Sequence, residues 1–162
     1  GSGVQVQSGY STILLALHHL DLQAGSRMVD LGSGYGRVGL VCALLYPKVD
    51  FTGYEYVNHR VDASNQRSLF FGLQETLHFV TQDLSLESFQ IPDADVYYLY
   101  DPFTEDTYRY VLAQILEVSQ KQEITVVTKG NARHWFTDVA RTNQWREPLY
   151  VDEGNLALFK SA

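Results

Sequence analysis

One cysteine, four prolines, five histidines and only 12 lysines and arginines among 162 residues close off several classes of protein before any motif is read. A lone Cys42 cannot form an internal disulfide or complete a zinc site, and it fits a reducing compartment, so a cytoplasmic protein is expected. Its apolar setting, Gly39 to Leu45, marks it as a small buried hydrophobe rather than a nucleophile. The histidines, His18, His19, His59, His78 and His134, show no metal-ligand spacing, and no metal is expected. Acidic residues outnumber basic ones, with a formal net charge of -7. The arginines and lysines from Arg60 to Arg146 are scattered, so no broad positive field gathers nucleic acid, which is disfavoured as a partner. No apolar stretch approaches the length of a membrane span. Repeats, low-complexity tracts and linkers are also missing, and 162 residues suit one domain with a single core. Gly1-Ser2-Gly3 reads as a cloning remnant.

What the chain does have is periodicity. Apolar residues at Ile13, Leu14, Ala16, Leu17 and Leu20 predict a helix over 12–20. Strands are expected at 27–31, 49–54, 77–81, 96–100 and 124–128, separated by helices at 38–45, 58–71, 105–120 and a short one at 131–141. Asn58 and Thr104 are the expected caps of two of these helices, and Gly72 closes the first of them. Tyr97, Tyr98, Tyr100, Tyr108 and Tyr110 read mainly as core and sheet packing. The tail changes rhythm: 145–151 and 156–159 read as two strands joined by Asp152-Glu153-Gly154-Asn155, too close for a helical crossover. Alternating strands and helices call for a parallel sheet, to which the terminal hairpin adds an antiparallel strand, seven strands in all.

The most informative run is Met28 to Leu40, where a short apolar strand passes into a helix through Gly32-Ser33-Gly34-Tyr35-Gly36. Glycine lets the backbone turn sharply and approach a ligand without a Cβ in the way, and the helix that follows points free N–H groups at it. Two registers fit. Gly34 to Gly39 satisfies the dinucleotide pattern G-x-G-x-x-G, with Glu55 about 20 residues on to meet ribose hydroxyls. Asp30 to Gly36 satisfies acid-x-G-x-G-x-G. Asp30 separates them, because an acid repels a diphosphate and attracts the cationic amine of a methionine moiety. That favours S-adenosylmethionine as the cofactor.

Asp30-Leu31-Gly32-Ser33-Gly34-Tyr35-Gly36 resembles motif I of the class I S-adenosylmethionine-dependent methyltransferases. The resemblance implies an α/β fold, a three-layer Rossmann-like seven-stranded mostly parallel sheet with an antiparallel C-terminal strand, and a single methyltransferase domain over 1–162. It implies that Asp30 reaches the methionine amine, that Gly32, Ser33, Gly34 and Gly36 form the cofactor loop, and that Glu55, with Tyr56 beside it, binds the ribose. Asp83 and Leu84, after the third strand, match the pair that reads the adenine, although Asp83 also suits a turn. Tyr10 and Thr12 resemble hydroxyls that meet the methionine carboxylate in seven-strand protein lysine methyltransferases, the branch this chain is most similar to. Ser11 and Thr12 equally suit helix caps.

Asp101-Pro102-Phe103 resembles motif IV of amine-methylating members, with one proline where many carry two, which counts against a nucleobase amine or glutamine amide. The acid would orient a nitrogen nucleophile or take its proton, and the aromatic would pack on it, while an Asp-Pro turn with a core aromatic is the plainer alternative. These residues are the expected catalytic set. The function implied is N-methylation of a protein side chain or a small-molecule amine. A non-catalytic cofactor-binding module and an NAD-binding oxidoreductase domain are the alternatives, and Asp30 with the terminal hairpin argues against the second.

Overall fold

The computed structural model describes residues 9–100 and 104–162. Its elements run α1 (Tyr10–His18), β1 (Arg27–Leu31), α2 (Arg37–Leu45), β2 (Asp50–Glu55), α3 (Asn58–Phe70), β3 (Leu77–Thr81), β4 (Val96–Leu99), α4 (Glu105–Lys121), β5 (Thr125–Lys129), α5 (Ala132–Thr142), β6 (Leu149–Val151) and β7 (Leu156–Lys160). The seven strands form one sheet in the order β3-β2-β1-β4-β5-β7-β6. β1 to β5 are parallel, whereas β7 runs antiparallel to both β5 and β6. The order reverses beside β1, so the C-terminal ends of β1 and β4 flank the crevice where ligands bind in such sheets.

Successive side chains of the central strands enter opposite cores. Met28, Phe51, Tyr98 and Val127 pack with Ile13, Leu17, Val41 and Cys42 of α1 and α2, and Val61 of α3 joins them. Val29, Leu31, Tyr97, Leu99 and Val126 pack with Tyr108, Val111, Ile115 and Phe136 of α4 and α5. These two cores make the three expected layers, and each fully buried large apolar side chain is worth about 1.5–3 kcal/mol. Strands covered on both faces read as continuous apolar runs, as Val96-Tyr97-Tyr98-Leu99 does. Among the described residues no helix is long and apolar enough to cross a membrane.

Local corrections have physical causes. Asn58 does not cap α3: Val57 holds that position, and Asn58 Oδ1 instead accepts the Thr81 hydroxyl at 2.8 Å. The Val57 carbonyl accepts the Arg60 N–H at 3.1 Å and the Val61 N–H at 3.3 Å, so the helix turn starts one residue early. Neither Ser11 nor Thr12 caps α1, which begins at Tyr10 after Gly9. The strand expected from Trp145 pairs only from Leu149. Pro148 brings no N–H to a ladder, and Trp145 packs edge-to-face on Phe136 with ring centroids 5.0 Å apart. Thr104 caps α4 as expected, accepting the Thr107 N–H at 3.3 Å.

Candidate active site

The turn between β1 and α2 bends because Gly32, Gly34 and Gly36 all have positive φ, at 103°, 57° and 80°. The reasons differ along the loop. A Cβ at Gly36 would lie 2.7 Å from both Phe79 and the Ser64 hydroxyl, so only glycine lets the loop settle against β3 and α3. A Cβ at Gly34 would meet nothing within 4 Å, so the outer side of the loop is open. The Gly32 and Ser33 N–H groups both donate to the Tyr54 carbonyl at 2.9 Å, which ties the loop to β2.

Glu55 ends β2 and is 7% exposed. Its Oε1 accepts the Gly34 N–H at 2.9 Å, its Oε2 accepts the Val57 N–H at 2.8 Å, and the Arg60 guanidinium stands 3.9 Å away. The acid therefore positions the loop as well as facing the crevice. Asp30 lies one strand over in the middle of the sheet, 2% exposed, and its Oδ1 is buried without a hydrogen-bond partner. Burial above all, and the negative Glu55 second, push its pKa up to about 8. The Ser33 hydroxyl is also buried and unpartnered. A buried acid and hydroxyl left short of partners beneath an open glycine loop is a donor set that a cationic ligand group completes.

Beyond β2 and β3 a cavity of about 290 Å³ is lined by Gly32, Glu55, Tyr56, Asp83 and Leu84, together with Arg60, Ser85, Thr104 and Thr107. Five residues expected from the sequence thus share one cavity, close to the volume a ligand pocket needs. Asp83 Oδ1 accepts the Ser85 N–H at 2.9 Å and the Ser85 hydroxyl at 2.5 Å, and these bonds hold its carboxyl below the usual range. The acid stays ionised and fixed in direction.

Tyr10 and Thr12 lie outside that cavity's lining. The Arg37 guanidinium sits over the Tyr10 ring, 4.7 Å from its centroid, and the Thr12 hydroxyl donates to Asp152 Oδ2 at 2.9 Å. Asp101, Pro102 and Phe103 lie outside the described residues, between Tyr100 after β4 and the Thr104 cap of α4. Sequence reasoning missed Arg60, Ser85, Thr104 and Thr107 in the cavity wall. Arg60 could have been found from its place in the first turn of the helix that follows Glu55. Among the described residues no group of three or more histidines, cysteines and acids could hold a metal ion.

Comparison with known proteins agrees with this fold. The family model of the O-methyltransferase domain matches residues 6–127. None of the curated proteins matches the sequence. The fold is similar to that of precorrin-6y C5,15-methyltransferase from Geobacter metallireducens GS-15, with a TM-score of 0.74 at 14% identity, covering 100% of this chain and 92% of that one. An RNA methyltransferase from Salinibacter ruber in complex with S-adenosyl-L-homocysteine superposes with a TM-score of 0.68 at 19% identity, covering 96% and 92% of the two chains. TrmN from Thermus thermophilus gives 0.68 at 16% identity over 92% of this chain, which spans only 47% of that one. With the glycine loop, the two acids and the sheet order in place, the chain belongs to the O-methyltransferase domain family and is an S-adenosylmethionine-dependent methyltransferase.

Proposed function

We propose that the cofactor lies across the C-terminal ends of β3, β2 and β1, and that its methyl passes to a nitrogen nucleophile on a small-molecule amine or a protein side chain. The observation that carries the cofactor placement is the single cavity shared by Gly32, Glu55, Tyr56, Asp83 and Leu84, with the unpartnered Asp30 buried beside it. Asp83 and the Leu84 N–H then meet the adenine. Glu55 and Tyr56 meet the ribose, and Ser33, Gly34 and Gly36 let the chain approach closely. Asp30 faces the methionine amine, while Tyr10 and Thr12 stand on the α1 side toward its carboxylate.

When bound, the cofactor supplies an activated methyl on a sulfonium. The chain has little chemistry left to do beyond alignment and exclusion of water. Asp101 follows β4 by two residues, at the strand adjoining β1. In this reading it would accept a hydrogen bond from the attacking amine and take the proton released once the N–C bond has formed and the methyl–sulfur bond has broken, with S-adenosylhomocysteine as the leaving group, while Phe103 would pack on the acceptor. An oxygen nucleophile is the second reading, favoured by the family to which the chain belongs. Incubation of the enzyme and cell extract with 13C-methyl-labelled S-adenosylmethionine tests both, because N-methyl and O-methyl carbons resonate apart. An N-methyl signal is expected. An O-methyl signal moves the assignment to the second reading, and bound cofactor with no labelled product overturns both.

A further inference from the structure

A mostly buried cation stands at the C-terminal end of β5, two strands from β1. Lys129 is the last residue of β5 and is 9% exposed, yet its Nζ has no hydrogen bond or ion pair with any described residue. It lies over the Tyr100 ring, 5.2 Å from the centroid. The two are neighbours because Leu99 is in register with Thr128, which puts the residue after each strand position side by side. Two charges act on the amine through space, Asp152 attracting it and Arg37 repelling it. Asp152 is already occupied, since its Oδ2 accepts both the Thr12 hydroxyl at 2.9 Å and the Asn155 amide at 3.2 Å. Burial is the main cause that draws the lysine's pKa down, and Arg37 adds to it. Among the described residues, the Tyr100 ring face and the one carboxylate that Thr12 and Asn155 already share are all that balance this ammonium.

We propose that Lys129, above the Tyr100 ring, is an acceptor-binding cation that holds an oxyanion, a carboxylate or a phosphate, carried by a small-molecule methyl acceptor. The inference rests on the cofactor placement given above. With the cofactor over β3, β2 and β1, the ends of β4 and β5 are left for the acceptor. The cofactor's own carboxylate is the rival claimant, because Asp152 and Arg37, the charges that act on Lys129, contact Thr12 and Tyr10. Yet it shares a carbon with the amine drawn to Asp30 on β1, whereas Lys129 starts two strands away, about 10 Å at the backbone. An acceptor oxyanion here would supply the missing counter-charge. A second protonated amine at the same point would be repelled by Lys129 and Arg37 together. The methylated atom and the acid group of the acceptor would then be held by different strands, which fixes its orientation.

The test uses protein saturated with S-adenosylhomocysteine, titrated by calorimetry with benzoate, phenyl phosphate and benzylamine. Lys129→Met keeps the side-chain stem and removes the charge, and Lys129→Arg restores a cation. Wild-type protein is expected to bind benzoate or phenyl phosphate, whichever matches the acceptor's acid. Lys129→Met should weaken that binding at least tenfold, Lys129→Arg should keep it within about threefold, and benzylamine should not bind tighter to wild type than to Lys129→Met. S-adenosylhomocysteine affinity should stay within twofold throughout. Equal anion binding by wild type and Lys129→Met, or no anion binding by either, overturns the proposal. Loss of S-adenosylhomocysteine affinity in Lys129→Met overturns it too, by assigning the amine to the cofactor tail. Failure of wild type to bind S-adenosylhomocysteine at all strikes the cofactor placement beneath it.

Discussion

Glu55 holds Gly34 across 21 residues, its Oε1 accepting the loop N–H at 2.9 Å while its other oxygen accepts the Val57 N–H at 2.8 Å. One carboxylate thus ties the glycine loop to the start of α3. A hydrogen bond to a charged group is worth about 1.5–3 kcal/mol, so Glu55→Gln should weaken S-adenosylhomocysteine about ten- to a hundredfold. Glu55→Ala should weaken it further and lower the melting temperature, since both N–H groups lose their acceptor. Calorimetry and thermal unfolding of the two variants separate the contact with ligand from the contact with the loop.

Asp30 gives the site a pH dependence of definite sign. In the unfolded chain its carboxyl ionises near the usual 3.8, whereas in the fold it keeps its proton up to about 8. Between those values the folded state binds more protons, so this acid's contribution to stability falls as pH rises through the window and levels off above it. Asp30→Asn has no such proton, and the stability difference between wild type and variant should shrink in wild type's disfavour from about pH 4 to about pH 8. A methionine ammonium beside Asp30 would favour its ionised form. Binding of S-adenosylmethionine near pH 7 should therefore release close to one proton, read by calorimetry in two buffers of different ionisation enthalpy. Asp30→Asn should release none and bind about tenfold or more weakly.

The loop glycines should not respond alike. Gly34→Ala adds a methyl to open space and pays only for φ of 57°, a cost of about 1–2 kcal/mol. Gly36→Ala meets Phe79 and Ser64 at 2.7 Å in addition, so about 1–3 kcal/mol of overpacking is added to the same backbone strain. Urea unfolding should rank Gly36→Ala clearly below Gly34→Ala. Equal midpoints would show that the contact with Phe79 relaxes at no cost.

The edge of the sheet offers a stability test that leaves the cavity-lining residues untouched. Asn65 of α3 donates to the Phe79 carbonyl at 3.0 Å and accepts the Phe79 N–H at 3.2 Å, so a side-chain amide takes the place of the missing strand beside β3. Asn65→Leu leaves both backbone groups unmet in a part-buried position and should cost about 1–3 kcal/mol by urea unfolding. Unchanged stability would mean that water replaces the amide without loss.

Much of this was legible in the chain because it depends on local pattern. Apolar runs such as 96–99 and the helical spacing of Ile13, Ala16 and Leu17 follow from period and burial, and the terminal hairpin follows from a connection too short for a helix. Asp30, the glycines, Glu55, Asp83 and Leu84 were readable because their spacing along strand ends is itself the motif. Tertiary geometry hid the rest. Asn58 has the chemistry of a cap, but the Arg60 and Val61 N–H groups already donate to the Val57 carbonyl, and its side chain accepts the Thr81 hydroxyl instead. Thr12 has a hydroxyl suited to a ligand, yet its partner is Asp152, 140 residues on. Lys129 carries no local signal, since only the pairing of β5 with β4 brings it over Tyr100.

Asp101 separates binding from transfer. In sequence it follows β4, the strand that pairs with β1 on the side away from β2, and the bonds that tie the glycine loop run to Glu55 and Tyr54. If its role is to orient a nitrogen nucleophile and accept its proton, Asp101→Ala should remove that help from the transition state and leave the cofactor's contacts intact. A positioned base contributes about 10²–10⁴-fold, so labelling of the acceptor from methyl-labelled S-adenosylmethionine should fall by at least two orders of magnitude. S-adenosylhomocysteine affinity should stay within about threefold, well under the 1.4 kcal/mol that a tenfold change represents. Asp101→Asn should recover part of the rate, because an amide still orients the amine although it cannot take the proton. Loss of cofactor binding together with transfer would assign Asp101 to the cofactor side, and full activity in Asp101→Ala would remove it from the catalytic set.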